Sequence, residues 1–202
     1  FCNYKDTIAG ISEFLTSKDI SHGLFYGGLE QIDRERALIK FRNGTHQLLL
    51  ATDLAARGID VPEIKFIIHY ELPYKEKEFT HRNGRTARMN AEGTAYVLTR
   101  KGAQLPDYMP ELEDANLAGG KDLKPSEWTT LYITGGKKDK ISKGDIAGLF
   151  MKQAGLEPYE VGHIEIKLDS TFVSVHKTQL SKAIAKTNNT RVKKKKVRVS
   201  EA

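Results

Sequence analysis

Short apolar runs alternate with helical stripes from residue 6 to residue 99, and few folds accept that order. Residues 6–18 place Ile8, Ile11, Phe14 and Leu15 at helical spacing. Leu24-Phe25-Tyr26 is a strand stopped by Gly27-Gly28, and residues 30–42 form a second helix through Ile32, Leu38, Ile39 and Phe41. Asn43-Gly44 closes that helix in the manner of a left-handed cap. Strands follow at 47–51, 65–70 and 94–99, with a short helix over 75–82 between the last two. Strands that alternate with helices in this way form a parallel sheet covered on both faces. Such open α/β sheets bind ligands beyond the carboxyl ends of their strands. The expected first domain is a doubly wound parallel α/β sheet over residues 1–104.

Periodicity then fades. Pro106, Pro110, Gly119-Gly120 and Pro125 punctuate a linker over residues 105–127, with one short helical turn expected around 110–117. Trp128 opens a second, compact pattern. Its strands are expected at 129–134, 161–168, 171–176 and 190–199, and its helices at about 144–154 and 178–187. Ser142 and Asp145 are spaced as a helix start signal. This β-α-β-β-α-β order describes a small α+β, RRM-like domain over residues 128–202. Alternation turns Leu131, Ile133, Val173 and Val175 inward and leaves Tyr132 and Phe172 on the open sheet face. There they either stack on unpaired bases or lie under the connector. Ser170 stands where the RRM signature carries a second aromatic.

Charge separates the two halves. Residues 121–202 carry a net +8 and residues 1–120 a net −2. The excess lies in Lys137, Lys138, Lys140 and Lys143 after the first strand of the second domain, and in Arg191, Lys193, Lys194, Lys195, Lys196 and Arg198 on its last strand. Lysines on an edge strand also block aggregation, but two clusters flanking one sheet point to phosphate contact. The rest of the composition narrows the class. Hydrophobic content of 39% and a mean hydropathy of −0.47 suit a globular domain. No apolar run approaches ~18 residues, so no membrane helix is expected. Cys2 has no partner for an internal disulfide, which suits a reducing, cytoplasmic setting. His and Cys are too scattered for a zinc site, and no metal ligand is assigned.

Two motifs carry chemistry. His81 to Arg88, HRNGRTAR, packs three arginines and a histidine around Gly84. A solvated basic turn would also read this way. Guanidinium forks nevertheless match phosphate oxygens and keep their charge at working pH. Ala51 to Asp60, ATDLAARGID, follows an apolar strand and sets polar groups at its carboxyl end. Together they resemble motifs VI and V of the DEAD-box ATP-dependent RNA helicases. Gly27-Gly28-Leu29-Glu30-Gln31-Ile32-Asp33-Arg34 is similar to that family's glycine and Q-x-x-R element, and Phe1-Cys2-Asn3 sits where its motif IV strand ends. The basic tail, Ala87 within motif VI, and Gly135-Gly136-Lys137-Lys138 ahead of Gly144-Asp145 resemble the DbpA subfamily of bacterial helicases.

The resemblance implies a RecA-like second helicase domain followed by an RNA-binding tail. It implies ATP bound with Mg²⁺ between two RecA-like domains, with Arg85 and Arg88 reaching the γ-phosphate, Arg88 as arginine finger, and Gly58 and Asp60 at the ribose. Arg57 would anchor motif V. His81 and Arg82 would bridge to the other domain. Gly28, Gln31, Arg34 and Thr52 would hold the RNA backbone, while Tyr132, Phe172, Lys137, Lys138, Lys140, Lys194 and Lys195 would bind RNA on the tail. The implied target is a structured 23S rRNA hairpin in the peptidyl-transferase region of the large subunit. No G-x-x-x-x-G-K-S/T loop and no Asp-Glu-Ala-Asp run occurs in the 202 residues. The expectation is therefore a monomeric C-terminal portion whose Mg²⁺ ligands lie on a missing first RecA-like domain. Competing expectations are a stand-alone RNA-binding assembly protein without ATPase activity and half of a DNA-directed helicase. The wording of motif VI and the RRM-like tail disfavour the latter.

Overall fold

The computed structural model describes residues 1–53, 61, 64–86, 93–115 and 123–202. It divides into two compact units, Phe1–Arg34 with Leu49–Pro125 and Glu35–Leu48 with Ser126–Ala202. Among the described residues no helix is long and apolar enough to cross a membrane.

The first unit is built on short strands. In chain order residues 1–99 carry α1 (Lys5–Ser17), β1 (His22–Phe25), α2 (Gln31–Arg42), β2 (Leu48–Ala51), β3 (Phe66–His69), α3 (Glu76–Asn83) and β4 (Thr94–Val97), of which α2 from Glu35 onward and Leu48 at the start of β2 fall in the second unit. β1 pairs with β2, and β3 pairs with β4 in parallel, Phe66 opposite Thr94. Phe1 and Cys2 stitch the two pairs together. Cys2 N–H donates to the Ala51 carbonyl at 3.0 Å, and Tyr70 N–H donates to the Phe1 carbonyl at 3.0 Å. On α1 the buried stripe runs through Ile8 and Leu15, whereas Phe14 is exposed. At 100° per residue Phe14 falls at the margin of that stripe, so the expected four-residue face is narrower than the spacing suggested. Ile32 of α2 is likewise exposed, while Leu38 and Ile39 are buried. Gly44 takes φ +74° and ends α2 as expected. No helix occurs over residues 111–115, and the remainder of the expected linker turn lies outside the described residues.

One charged side chain sits at the centre of this unit. Arg82, on α3, is fully buried. Its Nε and Nη2 donate to the two carboxylate oxygens of Asp53 at 2.6 and 2.7 Å, Nη1 donates to the Glu71 carbonyl at 2.6 Å, and Nη2 also donates to Asn3 Oδ1 at 2.7 Å. The Phe1 ring lies 5.5 Å from the guanidinium. A buried cation is tolerated where its donors are satisfied in this way, and the planar fork suits a bidentate carboxylate. Nearby, His69 is buried against Phe79 with ring centroids 4.8 Å apart, and its Nε2 meets Asn83 Oδ1 at 2.8 Å. Burial lowers the imidazole pKa to about 4.

The second unit holds β5 (Trp128–Thr134), α4 (Lys143–Gly148), β6 (Val161–Ile166), β7 (Ser170–His176), α5 (Leu180–Thr187), β8 (Arg191–Val192), β9 (Lys195–Lys196) and β10 (Val199–Glu201). Four strands form one antiparallel sheet in the order β10-β5-β7-β6. Inward alternation is as read from the sequence: Leu131, Ile133, Val173 and Val175 are fully buried with Ile146, Phe150 and Ala183. Ser142 and Asp145 form a reciprocal capping box at the start of α4, which continues as a π-turn over Leu149–Gln153. The expected strand at 190–199 is corrected. Its chain reverses at Lys193-Lys194, so β8 and β9 pair as a separate hairpin, and β10 alone joins the sheet. Val192, Val197 and Val199 anchor the hairpin and β10 in the core, which a single straight strand could not do with all three.

Within the same unit, Glu35–Leu48 meets the open sheet face. Arg42 grips Glu165 with Nη2 at 2.8 Å and Nε at 3.0 Å, and Lys167 Nζ bridges Glu165 at 2.7 Å and Glu35 at 2.6 Å. Thr45 and Asn43 hydrogen-bond to Thr130 at 2.7 and 3.3 Å.

Two outcomes are expected for the first unit. Arg82→Gln leaves Asp53 and two other acceptors unserved and should cost about 3–5 kcal/mol; a melting transition within about 1 kcal/mol of the parent would contradict the anchoring role. His69 has a folded-state pKa below its unfolded value of about 6.5. Its contribution is therefore complete above about pH 6.5 and is lost as pH falls toward 4, up to about 3 kcal/mol. Denaturant titrations across that window should show this slope in the parent and a flatter one in His69→Gln.

Candidate nucleic-acid interface

The expected RNA-backbone residues of the first unit gather at one sheet edge. Gly28 follows the end of β1 with φ +105° and open space where a side chain would project. That backbone conformation suits glycine and leaves its peptide accessible to a close ligand. Gln31 is exposed on the first turn of α2, and Arg34 Nη2 donates to its Oε1 at 2.8 Å. Thr52 follows β2 and bridges in parallel to Cys2, and its N–H reaches the Phe25 carbonyl at 3.4 Å. The four residues therefore lie just beyond the carboxyl ends of β1 and β2, where open α/β sheets present ligand-binding groups.

The expected nucleotide residues are only partly described. Arg85 is half-buried in the turn after α3, with Nε 3.5 Å from the His81 carbonyl. Its guanidinium type suits a phosphate. Gly58, Asp60 and Arg88 lie outside the described residues, as does Arg57. Arg82 requires a correction: its expected bridging role is incompatible with complete burial and four internal hydrogen bonds. Half-buried His81, one residue earlier, is not so engaged through its side chain. Motif spacing alone missed Asp53, Asn3 and Glu71 as Arg82's partners. The available signal was an arginine in HRNGRTAR and an acid just after the apolar strand 47–51.

The second unit carries its positive charge on loops. Lys137, Lys138 and Lys140 are exposed on the turn after β5, and Lys194 and Lys195 on the β8–β9 hairpin. Backbone bonds fasten that turn to the β6–β7 connection: Gly135 N–H to the Asp169 carbonyl at 3.0 Å, Lys137 N–H to Lys167 at 2.9 Å and Lys138 N–H to Leu168 at 3.0 Å. Gly136 is required there, because any Cβ would run into the Lys167 carbonyl. Three carboxylates reach the lysines. Lys138 pairs with Asp169 at 2.9 Å, Lys193 with Asp145 at 2.8 Å and Lys195 with Asp139 at 3.4 Å. Bonding to Lys193, then to Ser142, lowers the Asp145 pKa to about 2.

For Tyr132 and Phe172 the expectation is either stacking on bases or cover by the connector. Tyr132 and Phe172 do oppose one another on β5 and β7, but their rings meet edge-on, 5.4 Å apart at 64°. Phe172 is only 5% exposed, and Thr130 and Ser174 on the same face are 1% exposed. Phe172 is therefore covered while Tyr132 stays half-exposed, and residues 35–48 contribute to the cover of this face. Among the described residues no cluster of His, Cys, Asp or Glu could hold a metal ion.

Comparison with known proteins agrees with this geometry. Residues 1–90 match the helicase conserved C-terminal domain, and residues 130–201 match the DbpA RNA binding domain. The chain is 31% identical to the ATP-dependent RNA helicase DbpA of Escherichia coli over 98% of its own length and 45% of that protein. It is 27% identical to the ATP-dependent RNA helicase DbpA of Bacillus subtilis over its whole length and 48% of that protein. Among solved structures, the C-terminal domain of the DEAD-box protein Dbp5 aligns with a TM-score of 0.46 at 29% identity, over 50% of this chain and 60% of that one. The chain thus spans about half the length of the curated relatives it matches. With a helicase C-terminal domain and a DbpA RNA-binding domain in that order, it belongs to the DbpA group of DEAD-box proteins as their C-terminal part.

Proposed function

We propose that this chain is the C-terminal half of an ATP-dependent RNA helicase that acts in the cytoplasm, as a monomer, during large-subunit ribosome assembly. What supports the reading is the joining, on one chain, of two different surfaces whose groups suit phosphate, one in each matched domain. One is a sheet edge bearing Gly28, Gln31, Arg34 and Thr52; the other is a set of basic loops on a separate small fold.

The sheet edge meets the backbone of one RNA strand without regard to base, since its groups are a backbone glycine, an amide, a guanidinium and a hydroxyl. Holding that strand bent separates a short duplex locally. The basic domain tethers the core beside a structured 23S rRNA hairpin. Nucleotide chemistry belongs to the full-length protein: ATP with Mg²⁺ would supply the phosphoryl transfer, with Mg²⁺ held by the first RecA-like domain. By the resemblance, Arg85 and Arg88 would neutralise charge on the transferring phosphoryl group, and Gly58 and Asp60 would meet the ribose. Arg82 contributes indirectly, by fixing Asp53 directly after Thr52 and Asn3 at the neighbouring strand end.

Steady-state ATPase assays test the reading. The full-length protein should turn over ATP when RNA is added, and the 202-residue chain should match a protein-free blank. In the full-length protein Arg88→Ala should lower kcat by about 10³ or more while leaving RNA binding by the tail unchanged. A variant that kept most of its turnover would remove the finger role. Absence of RNA-stimulated turnover in the full-length protein would favour an RNA-binding assembly factor instead.

A further inference from the structure

Beyond β4 the chain turns twice, at Arg100–Ala103 and at Pro106–Met109, and a backbone hydrogen bond of 3.0 Å closes each turn. Both turns belong to the first unit, and the second lies inside the stretch expected as a linker. That second turn sets Tyr108 against α3. Its ring meets the Phe79 ring with centroids 5.8 Å apart at 47°, and its hydroxyl donates to the Pro73 carbonyl. Pro73 lies just ahead of α3, and Phe79 lies at the middle of the helix. One side chain from beyond the strand therefore holds α3 at two points. Burial pushes the Tyr108 phenol pKa up, so the hydroxyl stays a donor at working pH.

The contacts continue inward. Phe79 stacks on His69, centroids 4.8 Å apart at 29°, and His69 Nε2 lies 2.8 Å from Asn83 Oδ1. Phe79 and Asn83 are four residues apart and share one helix face, which is why a single imidazole reaches both. A neutral ring with its proton on Nε2 donates to that oxygen. His69 Nδ1 is buried without a hydrogen-bond partner among the described residues, so packing against Phe79 supplies the rest of the hold. The Asn83 carbonyl in turn accepts the Thr86 N–H at 3.0 Å. Asn83 and Thr86 bracket Gly84 and Arg85 within HRNGRTAR. Tyr108, Phe79, His69 and Asn83 thus form one unbroken row of packed or bonded side chains that ends inside this motif.

A tyrosine that only fastened the linker would need no more than the ring contact. Tyr108 also fixes the backbone where it enters α3, so it sets the start of the helix as well as its face. Small displacements matter there, because a group that must meet a transferring phosphoryl group loses rate steeply when misplaced. We infer that Tyr108 is a positioning residue for HRNGRTAR, acting through Phe79, His69 and Asn83 on the turn that carries Arg85, so that the helicase domain extends in function to residue 108. The inference rests on the role proposed above for Arg85 and Arg88 in ATP turnover and adds a residue that acts through others.

The full-length protein tests it. At saturating RNA, Tyr108→Ala should lower kcat for ATP by about tenfold or more, with the KM for RNA within about twofold of the parent. Tyr108→Phe keeps the ring on Phe79 and should retain most of the turnover. A residue that merely tethered the tail would give the reverse, a raised KM for RNA and an unchanged kcat. Isotope-labelled histidine gives a second reading that needs no activity. The His69 pKa, held low chiefly by burial, should rise by about half a pH unit or more in Tyr108→Ala and match the parent in Tyr108→Phe. Arg82 and Asp53, the charged side chains that bear on this imidazole, are unchanged in both variants. Tyr108→Leu, which keeps apolar bulk without the planar ring or the hydroxyl, repeats both measurements should Tyr108→Ala fail to fold. An unmoved His69 pKa, or an unchanged kcat in a parent that turns over, would overturn the inference. A parent without RNA-stimulated turnover would overturn the proposed function instead, and the His69 titration would still decide whether Tyr108 holds the motif.

Discussion

A guanidinium held out of water by one carboxylate, one backbone carbonyl and one amide organises the first unit. Arg82 satisfies Asp53, Glu71 and Asn3 together, and these acceptors come from three separate stretches of chain. Each stretch ends a strand or directly follows one. The strand ends are therefore brought level, and the residues beside them, Thr52 above all, are set at the sheet edge. A lysine could supply the charge but not the planar fork that fits Asp53 on two atoms. Because the group is buried, losing any partner would leave an uncompensated charge in the core. That makes the arrangement nearly all-or-none.

The second unit solves a different problem. It must carry a large positive charge without disturbing a small core. The solution separates the two by place. Alternating apolar residues of β5 and β7 close the core, while the lysines occupy loops, where a turn and a hairpin lean on each other. Three carboxylates among those lysines reduce repulsion locally and fasten the loops together. Gly136 lets the turn lie against the β6–β7 connection, and this closeness holds the lysines on one edge rather than scattering them. The face between the strands is occupied within the unit, through Arg42–Glu165 and the Thr130 hydrogen bonds.

Much of this was legible in the residues. The order of strands and helices, the glycine stop after α2, the Ser142–Asp145 cap and the inward set Leu131, Ile133, Val173 and Val175 all follow from local rules. Periods of two and 3.6 and the demands of caps act within a few residues, so they survive in the sequence. The motif resemblance singled out Gly28, Gln31, Arg34 and Thr52, each within a short contiguous pattern, and the fold brings the four to one sheet edge. Errors arose where a residue's role depended on something far along the chain. Phe14 and Ile32 look like core residues until the helix meets its actual neighbours. The 190–199 segment reads as one strand until Val192, Val197 and Val199 must all be buried.

By itself the sequence determined the class of fold in each half, the separation of charge between them and the candidate edge for RNA, because composition, periodicity and contiguous motifs are local quantities. Tertiary structure alone decided which charged groups face inward and which face out. Arg82 and Arg85 are indistinguishable as letters in HRNGRTAR, yet one is buried on Asp53 and the other stays half-exposed. Phe172 alternates outward as a base platform would, yet it is covered. Burial depends on which distant segments arrive at a given face, and no property of a residue's sequence neighbours encodes that arrival.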